Sequence, residues 1–509
     1  MSFISKSGFV SACVRCNKYT WMDANMPERK APVDEFAQSL FDNGNKVGEL
    51  AKQYFHADVD VTVTNEDGTP NLQEMLRATQ KHMDLGTSVI AEASFRYNGC
   101  FCSADILVRN PDGSYDLHEV KSSKQEKATK KNPLGVKDKY ILDAAYQRYV
   151  LENCGININK VYVVMLARDY VRGNSLDLDQ YFVKIDVTAE TATRQAEVTA
   201  KLVELLPILD DPAEPASVIC KNCNKCEYFA YCGKNIPSPS PFDVYDLDFP
   251  VKCQYYNNGV AFGDISKLNL KLKEAAKRQI EYCDRPNDTY VDNAAVQSFL
   301  DSIKFPLYSL DFETYQAVVP EHPGMKTYEQ VPFQYSAHKL PSLDADLTDV
   351  EEAHFLDLTG GDPRRAIADS LVKHIPYGAS VVAYHKSTEE NIVKRLAQQF
   401  PDLTDHLLSF TYCDPLKLFE DGCYYTSAMG KSFSLKSVAP ALYPEDKGMD
   451  YHNLEGAVKN GTQAMNAILK VKELSAEELE QLRQDLETYC ALDTLAVVKI
   501  LKKLYETSR

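Results

Sequence analysis

The chain has 509 residues, with 56 Lys and Arg against 73 Asp and Glu, which gives a formal net charge of −17 at pH 7. An apolar fraction of 44% is typical of globular proteins, and the length suggests more than one hydrophobic core. The acidic balance excludes general coating of nucleic acid by positive charge, so any such contact must be local. Because no apolar run has membrane-spanning length and Met1–Trp21 lacks a signal-peptide core, we expect no membrane contact and a cytoplasmic location.

The N-terminal segment contains Cys13-x-x-Cys16 and the only tryptophan, Trp21. Phe36 to Phe55 follows with apolar residues at helical spacing and predicts an amphipathic helix. A reducing compartment would keep the 14 cysteines of the chain as thiols, which favours metal binding over disulfides.

Three short strands are predicted next, over Ser94–Tyr97, Cys102–Val108 and Tyr115–Val120, joined by turns at Asn98-Gly99 and Pro111-Asp112-Gly113. Asp105 lies in the second strand, and Glu119 and Lys121 end the third on one face. Two carboxylates that bind metal, beside a lysine that orients water, are typical of metal-dependent phosphodiester cleavage. A surface ion pair is the plain alternative.

A lysine run follows, comprising Lys124, Lys127, Lys130 and Lys131, and then a predicted helix that carries Gln147. The run suits contact with a nucleic-acid backbone, and a merely solvated loop explains it equally well. The order Asp105, Glu119-x-Lys121, Gln147 resembles the PD-(D/E)xK superfamily in its RecB-like branch. The resemblance implies that Asp105 and Glu119 bind Mg²⁺ or Mn²⁺ and that Gln147 meets the site. In one departure, Asn45 stands where the family often has a metal-binding histidine.

Four cysteines cluster at Cys220, Cys223, Cys226 and Cys232, and their density predicts a metal centre whose spacing leaves zinc and iron–sulfur open. RecB-like nucleases of the CRISPR-associated and AddB type hold a [4Fe–4S] cluster with one upstream and three downstream cysteines. That resemblance implies ligation by Cys16, Cys223, Cys226 and Cys232. Cys16 is preferred over Cys13 because Cys16 to Trp21 is similar to the family's Cys-Pro-Lys-x-x-Trp.

Residues 1–236 are therefore expected to form one domain, 237–304 a proline-rich linker with helices over Ile265–Cys283 and Ala294–Ile303, and 305–509 a second domain. The second domain opens on FPLYSLDFETY, Phe305 to Tyr315, where strand alternation places Asp311 and Glu313 on one face. Further strands are predicted over Pro332–Leu340, Glu352–Leu358 and Ser380–Tyr384, with helices over Pro363–His374, Thr388–Phe400 and Leu482–Tyr505. On the last helix, Tyr489 and Asp493 share a face.

Asp-x-Glu-Thr on a first strand with Tyr-x-x-x-Asp on a last helix resembles the DnaQ-like (DEDDy) exonucleases, which have RNase H-like folds. The resemblance implies metal binding by Asp311, Glu313, Glu389 and Asp493, and water positioning by Tyr489. Glu389, preferred over Glu390, replaces the usual aspartate. Asp414 is a candidate accessory acid, with a turn or a helix N-cap as its favoured role. A mostly bacterial family that fuses a RecB-like domain to such a domain has similar motifs at Leu310–Thr314, Pro332–Ser336, Leu435–Pro440 and Tyr489–Thr494, and the resemblance covers essentially the whole chain.

The expected fold class is therefore α/β, with a PD-(D/E)xK restriction-endonuclease-like domain followed by an RNase H-like domain. The expected activity is metal-dependent hydrolysis of DNA phosphodiesters at two sites, on single strands or duplex ends. The alternatives are RNA processing, a non-catalytic iron–sulfur sensor that binds nucleic acid, and a zinc protein with structural cysteines.

Overall fold

A computed structural model describes residues 3–268, 271–283, 285 and 288–509. The chain is mixed α/β and divides into two compact units. The first comprises Met1–Asn235 and Ala317–Tyr328, and the second comprises Ile236–Gln316 and Glu329–Arg509. None of the helices in the described ranges combines the length and apolar character that a membrane span requires.

The described residues of the first unit contain one sheet of seven strands: Ile4–Ser5 (β1), Val59–Asp60 (β2), Val89–Tyr97 (β3), Cys100–Arg109 (β4), Tyr115–Lys124 (β5), Ile158–Leu166 (β6) and Phe182–Asp186 (β7). The order is β2-β3-β4-β5-β6-β7, and β1 pairs with β4. Strands β3, β4 and β5 form an antiparallel meander, whereas β5 and β6 are parallel. The helix between β5 and β6 makes the crossover that a parallel pair requires.

The helices of this unit are Lys6–Val14 (α1), Asn17–Asn25 (α2), Glu35–Tyr54 (α3), Leu72–Asp84 (α4), Asp138–Asn153 (α5), Leu178–Tyr181 (α6), Thr188–Thr193 (α7), Gln195–Asp210 (α8) and Phe229–Cys232 (α9). Helix α5 packs against β3, β4 and β6 through residues such as Ala144, Ala145 and Tyr146, each fully buried. The Tyr146 hydroxyl donates to Ile4 O at 2.5 Å and so fixes the first strand. The hydrophobic core therefore lies between α5 and the sheet.

The segment Ala317–Tyr328 belongs to the first unit although the chain on both sides of it belongs to the second. Val318 is buried in a cluster with Val164, Leu166 and Tyr181, and the Tyr181 hydroxyl donates to Val318 O at 2.9 Å. Hydrogen bonds to the segment also come from β5, including Lys124 Nζ to Thr327 O at 3.1 Å. The segment thus completes a small core on the first unit.

The described residues of the second unit contain the strands Thr289–Val291 (β8), Leu307–Gln316 (β9), Gln330–Leu340 (β10), Glu351–Leu356 (β11), Ser380–Val382 (β12), Thr411–Cys413 (β13) and Tyr424–Thr426 (β14). Five of them form a sheet in the order β11-β10-β9-β12-β13. Pairing is antiparallel from β11 through β9 and parallel from β9 through β13. Strands β8 and β14 form a separate pair.

The helices of this unit are Phe249–Asn257 (α10), Glu274–Tyr282 (α11), Asn293–Asp301 (α12), Arg364–His374 (α13), Ser387–Gln399 (α14), Thr404–Leu407 (α15), Leu416–Glu420 (α16), Leu435–Leu442 (α17), Gly461–Ile468 (α18) and Ala476–Thr507 (α19). Helix α19 begins with a capping box between Ser475 and Glu478, which satisfies amide groups that the first turn leaves free. It then runs for 32 residues and packs on β9 and β10.

Alternation along β9 separates its two faces. Leu310 and Phe312 join a core with helix residues such as Ile367 and Ile392, whereas Asp311 and Glu313 point to the opposite face. Ser309, on that opposite face, donates to Thr494 O of α19 at 2.8 Å. The sheet therefore presents its acids toward the last helix.

The predicted strands and long helices are confirmed with boundaries that differ by a few residues. The helix predicted over 265–283 is wrong in its first part. Phe262–Lys267 forms a 3₁₀ helix, Lys273 is extended, and α11 begins only at Glu274; residues 269 and 270 lie outside the described residues. Phe262 and Ile265 explain the break: their side chains are buried in a local core, and the backbone that places them there forms a short 3₁₀ turn.

Candidate functional sites

The antiparallel strands β4 and β5 bring Asp105 and Glu119 together. Asp105 Oδ2 accepts a hydrogen bond of 2.7 Å from the Val120 amide, which fixes its carboxylate. The Lys6 ammonium lies 2.8 Å from Asp105 Oδ1 and 3.1 Å from Glu119 Oε2. Sequence reasoning did not predict Lys6, because only the pairing of β1 with β4 brings the start of α1 to these acids.

Lys121 and Gln147 meet the same carboxylates. Lys121 Nζ lies 2.5 Å from Glu119 Oε1 and 2.6 Å from Asp143 Oδ2. Gln147 Nε2 donates to Glu119 Oε2 at 2.6 Å and to Asp143 Oδ1 at 3.0 Å. The structure therefore brings together all four residues predicted for this site and adds Asp143, which the four-residue spacing from Gln147 on one helix face could have indicated.

Burial and neighbouring charges together set the pKa values of the acids at this site. Burial tends to raise the pKa of Glu119, whose side chain is 1% exposed, but the Lys121 and Lys6 ammonium groups outweigh it and hold that pKa below its usual range. Burial, assisted by Glu119, raises the pKa of Asp105 to about 6. Burial, assisted by Asp105, raises the pKa of Glu92 to about 7. Glu119 is therefore ionised beside the two ammonium groups, whereas Asp105 and Glu92 ionise less readily than exposed carboxyl groups.

A cavity of about 590 Å³ opens in front of these acids. Its wall includes Asn45, the residue that the RecB-like resemblance aligned with a metal-binding histidine, together with Gly44 and Gly48 of α3. Glu92 of β3, which has φ +58°, lines the same cavity. The amide oxygen of Asn45 and the carboxyl oxygens of Glu92 are thus further candidate ligands for a hard cation.

The four predicted lysines beside this site divide into two groups. Lys124 is part of β5 and donates to a backbone carbonyl, whereas Lys127, Lys130 and Lys131 are exposed on the loop that follows. The loop is closed by the Glu126 amide, which donates to Gly135 O at 2.9 Å. Gly135 has φ +66°, and a Cβ there would lie 2.3 Å from Glu126 O, so this closure requires glycine.

Five cysteines line a pocket of about 330 Å³: Cys16, Cys220, Cys223, Cys226 and Cys232. Cys13 instead packs against the core of the first unit. Arg15 ties the N-terminal segment to the cysteine loop, donating to Asn224 O at 2.6 Å and Lys225 O at 2.8 Å. The structure therefore places Cys16, and not Cys13, beside the downstream cysteines.

Two distances bear on which group these thiols can hold. Cys220 Sγ and Cys223 Sγ are 3.9 Å apart. Across the described ranges, however, no set of three or more cysteines has its sulfur atoms within 4.8 Å of one another. Burial raises the pKa of Cys16 and Cys226, and it raises that of Cys223 to about 12, so these three thiols are protonated at neutral pH.

In the second unit, Asp311 and Glu313 of β9 meet Asp493 of α19. One carboxylate oxygen from each lies within 4.8 Å of the others. Glu313 and Asp493 are buried, and Asp311 is partly exposed. Three acids this close fit a divalent cation, because hard cations prefer carboxylate oxygens and like charges otherwise repel.

Glu389, on α14, is 4% exposed and faces the same acids. Its Oε2 atom is buried and finds no hydrogen-bond partner among the described residues. Glu390, by contrast, points outward and pairs with Lys394 at 2.6 Å. Asp414 accepts from the His385, Lys386 and Leu416 amides at 3.1 Å each, so it joins the residues that precede α14 to the start of α16.

Two residues that sequence reasoning missed complete this site. The Tyr451 hydroxyl donates a short hydrogen bond to Asp493 Oδ1. Lys436 Nζ lies 5.0 Å from the Tyr451 ring centre and 4.9 Å from that of Tyr489. Lys436 was visible in the motif Leu435–Pro440, whereas nothing in the sequence pattern indicated Tyr451, which lies in a 3₁₀ turn.

Burial dominates the electrostatics of this second group of acids. It raises the pKa of Glu313 and of Glu389 to about 8 and that of Asp493 to about 6, and neighbouring carboxylates add to the rise for Glu313 and Glu389. The pKa of Asp311 is also raised, by burial and then by Asp493. The site is therefore short of positive charge, which a bound divalent cation would supply.

The fold and these sites define a mixed α/β chain with two separate groups of buried acids and one group of cysteines. Residues 308–434 match the family model described as "Domain of unknown function (DUF2779)". No curated protein matches the chain. A solved structure titled "Crystal structure of SSO0001" is similar over 46% of this chain and 88% of its own, at 13% identity and a TM-score of 0.20, which is too low to support an argument.

Proposed function

We propose that this protein is a metal-dependent nuclease with two hydrolytic sites. The observation that carries the proposal is the meeting of Asp311, Glu313 and Asp493 within 4.8 Å, on elements almost two hundred residues apart in the chain. Bound Mg²⁺ or Mn²⁺ would supply the charge that clamps a phosphodiester and favours a hydroxide nucleophile. The sheet order and the acid pattern also support an RNase H-like fold for this unit.

In the second unit, the chain's own residues would hold the metals and orient the water. The proposed metal ligands are Asp311, Glu313 and Asp493. Glu389 Oε2, which has no hydrogen-bond partner among the described residues, is available as a fourth ligand. Tyr489 would position the attacking water, in keeping with the DEDDy resemblance. Tyr451 holds Asp493 through its hydroxyl and so fixes the orientation of one ligand.

In the first unit, the meander of β3, β4 and β5 with α5 beside it supports a PD-(D/E)xK fold of the RecB-like type. Asp105 and Glu119 would hold the cation. Lys121, fixed between Glu119 and Asp143, would stabilise negative charge that develops on the phosphate. The Gln147 amide donates to Glu119 and to Asp143 and so orients these two carboxylates.

We assign a [4Fe–4S] cluster to the cysteine pocket, because one upstream and three downstream cysteines resemble the ligand order of RecB-like iron–sulfur nucleases and Cys16 lines the same pocket as the downstream cysteines. Cys16, Cys223, Cys226 and Cys232 would be the ligands. Such a cluster would join the N-terminal segment to the end of the unit, as the bonds from Arg15 already do.

The substrate proposed is single-stranded DNA or a duplex end. The exposed lysines Lys127, Lys130 and Lys131 beside the first site offer a local contact for the phosphate backbone in an otherwise acidic chain. RNA is the alternative within the same class, and matched DNA and RNA strands of one sequence distinguish the two.

The test uses the full chain, purified without oxygen, with end-labelled single-stranded DNA and Mn²⁺. Lys121→Ala, Asp311→Ala and the double variant are compared with the parent. We expect each single variant to lose one set of products and the double variant to lose both. Labels at the 5′ and 3′ ends are followed separately, because the two sites need not share a polarity.

Each other outcome revises the proposal in a defined way. If only one of the two substitutions matters, the other unit has no hydrolytic site. If the double variant cleaves like the parent, the sites are wrongly assigned. Binding of DNA without cleavage by the parent would favour the iron–sulfur sensor, and a colourless protein with bound zinc would replace the cluster.

A further inference from the structure

Lys6 is held rigidly at the first site by backbone contacts on both sides of it. Ile4 N donates to Gly99 O at 2.8 Å, and Ile4 O accepts from the Tyr146 hydroxyl. Ser5 caps α1 by accepting from the Gly8 amide at 3.0 Å. Lys6 therefore enters the site as the first residue of a capped helix and not as the end of a free arm.

The Lys6 ammonium contacts the carboxylates that we propose as metal ligands. It lies 2.8 Å from Asp105 Oδ1, and Asp105 Oδ2 is already used by the Val120 amide. It also lies 3.1 Å from Glu119 Oε2, which accepts from Gln147 as well, while Glu119 Oε1 is used by Lys121. The oxygen atoms that a cation would need are thus the ones that Lys6 takes.

Because Asp105 and Glu119 are buried together, they need positive charge beside them. Asp105 and Glu119 repel each other, and two ionised carboxylates at this depth are costly without positive charge between them. A Lys ammonium satisfies them with one charge, and a divalent cation would satisfy them with two. Both cannot occupy the same oxygens, so binding of one requires departure of the other.

We propose that Lys6 is a built-in counter-ion of the first site and that a divalent cation binds there by displacing its ammonium. This inference rests on the proposed nuclease function and adds a feature of its regulation: Lys6 sets the metal concentration at which the first site becomes occupied. Lys6 also lines the cavity in front of the acids, so its displaced ammonium stays where the phosphate of a substrate would lie.

The experiment measures Mn²⁺ binding directly, by calorimetric titration of the full chain. All variants carry Asp311→Asn, which weakens the second site and simplifies the titration. Lys6→Gln removes the competing charge and should tighten Mn²⁺ binding about tenfold, since a charge-assisted contact no longer has to be broken. Lys6→Arg keeps the positive charge on a guanidinium group, which can donate hydrogen bonds to both carboxylates. It should therefore weaken Mn²⁺ binding.

Lys52→Gln is the matched control. Lys52 lines the same cavity but pairs with Glu49 at 2.7 Å and Asp60 at 2.6 Å, so this variant removes the same charge from the same region without freeing Asp105 or Glu119. We expect it to change Mn²⁺ affinity much less than Lys6→Gln. Equal tightening by both variants would show a general charge effect and overturn the inference.

The remaining outcomes separate the inference from the function on which it rests. If Lys6→Gln and Lys6→Arg both weaken binding, Lys6 only supports the site and the inference is wrong. If Mn²⁺ binds, and Glu119→Gln abolishes the binding, but neither Lys6 variant alters it, only the inference fails. If neither the parent nor Lys6→Gln binds Mn²⁺ at the first site, the proposed cation site itself fails. Because Lys6→Arg retains the charge, it tests the order of affinities even if Lys6→Gln does not fold.

Discussion

Glu313, Glu389 and Asp493 are carboxyl groups held in the interior of the second unit, where their ionised forms are disfavoured. Burial raises the pKa of the two glutamates to about 8, against an ordinary value of 4.5. A group whose folded-state pKa is raised in this way stabilises the fold when protonated. This contribution to the free energy of unfolding is complete when the pH lies below the ordinary pKa, and it is lost as the pH rises through the folded-state pKa.

We therefore predict that, in the presence of a chelator, the free energy of unfolding falls as the pH is raised from about 4.5 to about 8. Added Mn²⁺ should reduce this dependence, because it supplies the missing positive charge. Differential scanning calorimetry across that range, with chelator or with Mn²⁺, is the measurement. Glu313→Gln is the control and should flatten the chelator curve; a parent curve that rises with pH would contradict the prediction.

Tyr451 offers a second test at the scale of single residues. Tyr451→Phe removes the hydroxyl that holds Asp493, a hydrogen bond to a charged group that is worth about 1.5–3 kcal/mol. We expect cleavage by the second site to fall at least about tenfold, measured in a Lys121→Ala background. Tyr443→Phe removes a hydroxyl that donates to the backbone O of Lys499, and it should leave cleavage nearly unchanged.

Sequence pattern and structure agree best where a site residue depends on local geometry. Strand alternation was enough to place Asp311 and Glu313 on one face, and helical spacing was enough for Tyr489 and Asp493. Lys6 was not predicted because its partners lie about a hundred residues away on β4 and β5, and the pairing of β1 with β4 has no sequence signal. Such contacts depend on tertiary packing, which spacing rules do not describe.

Among the elements, the long and strongly periodic ones were predictable and the short ones were not. Helix α19 shows its apolar face over many turns, so its type follows from period alone. The stretch 262–268 has no such repeat, and its 3₁₀ turn follows from the burial of Phe262 and Ile265. The position of Glu92 has the same origin: it lies between the Ala91–Ile106 and Ala93–Ala104 pairs, and only this pairing of β3 with β4 brings it to Asp105.

The turn between α1 and α2 leads to a prediction about two cysteines only three residues apart. Cys16 lines the cysteine pocket, whereas Cys13 packs into the core. We expect Cys16→Ser to abolish the brown colour and the blue absorbance of a cluster in protein purified without oxygen. Cys13→Ser should retain both, with iron and sulfide content measured alongside; loss of colour from Cys13→Ser alone would reverse the assignment.

At the scale of the whole molecule, the segment Ala317–Tyr328 makes one compact unit depend on residues encoded within the other. Val318 is 1% exposed and packs in the first unit. Val318→Ala should therefore lower the stability of that unit by about 2 kcal/mol, the cost of losing buried methyl groups.

Trp21, the only tryptophan, lies buried in the first unit, so its fluorescence during urea unfolding reports on that unit. Val33→Ala is the control, because Val33 is 58% exposed in the same unit and should have little effect. An unchanged fluorescence midpoint for Val318→Ala would show that the inserted segment does not contribute to the stability of the first unit.

This interleaving also limits how the gene can be rearranged. The boundary near residue 236 lies between the two units, yet a single crossover there would give a first unit without its segment Ala317–Tyr328 and would leave that segment stranded in the second. Intact transfer of either unit to another protein would require three coordinated breakpoints. We therefore expect the two units to be inherited together, and lineages that lose the second unit to keep or replace the twelve residues that complete the first.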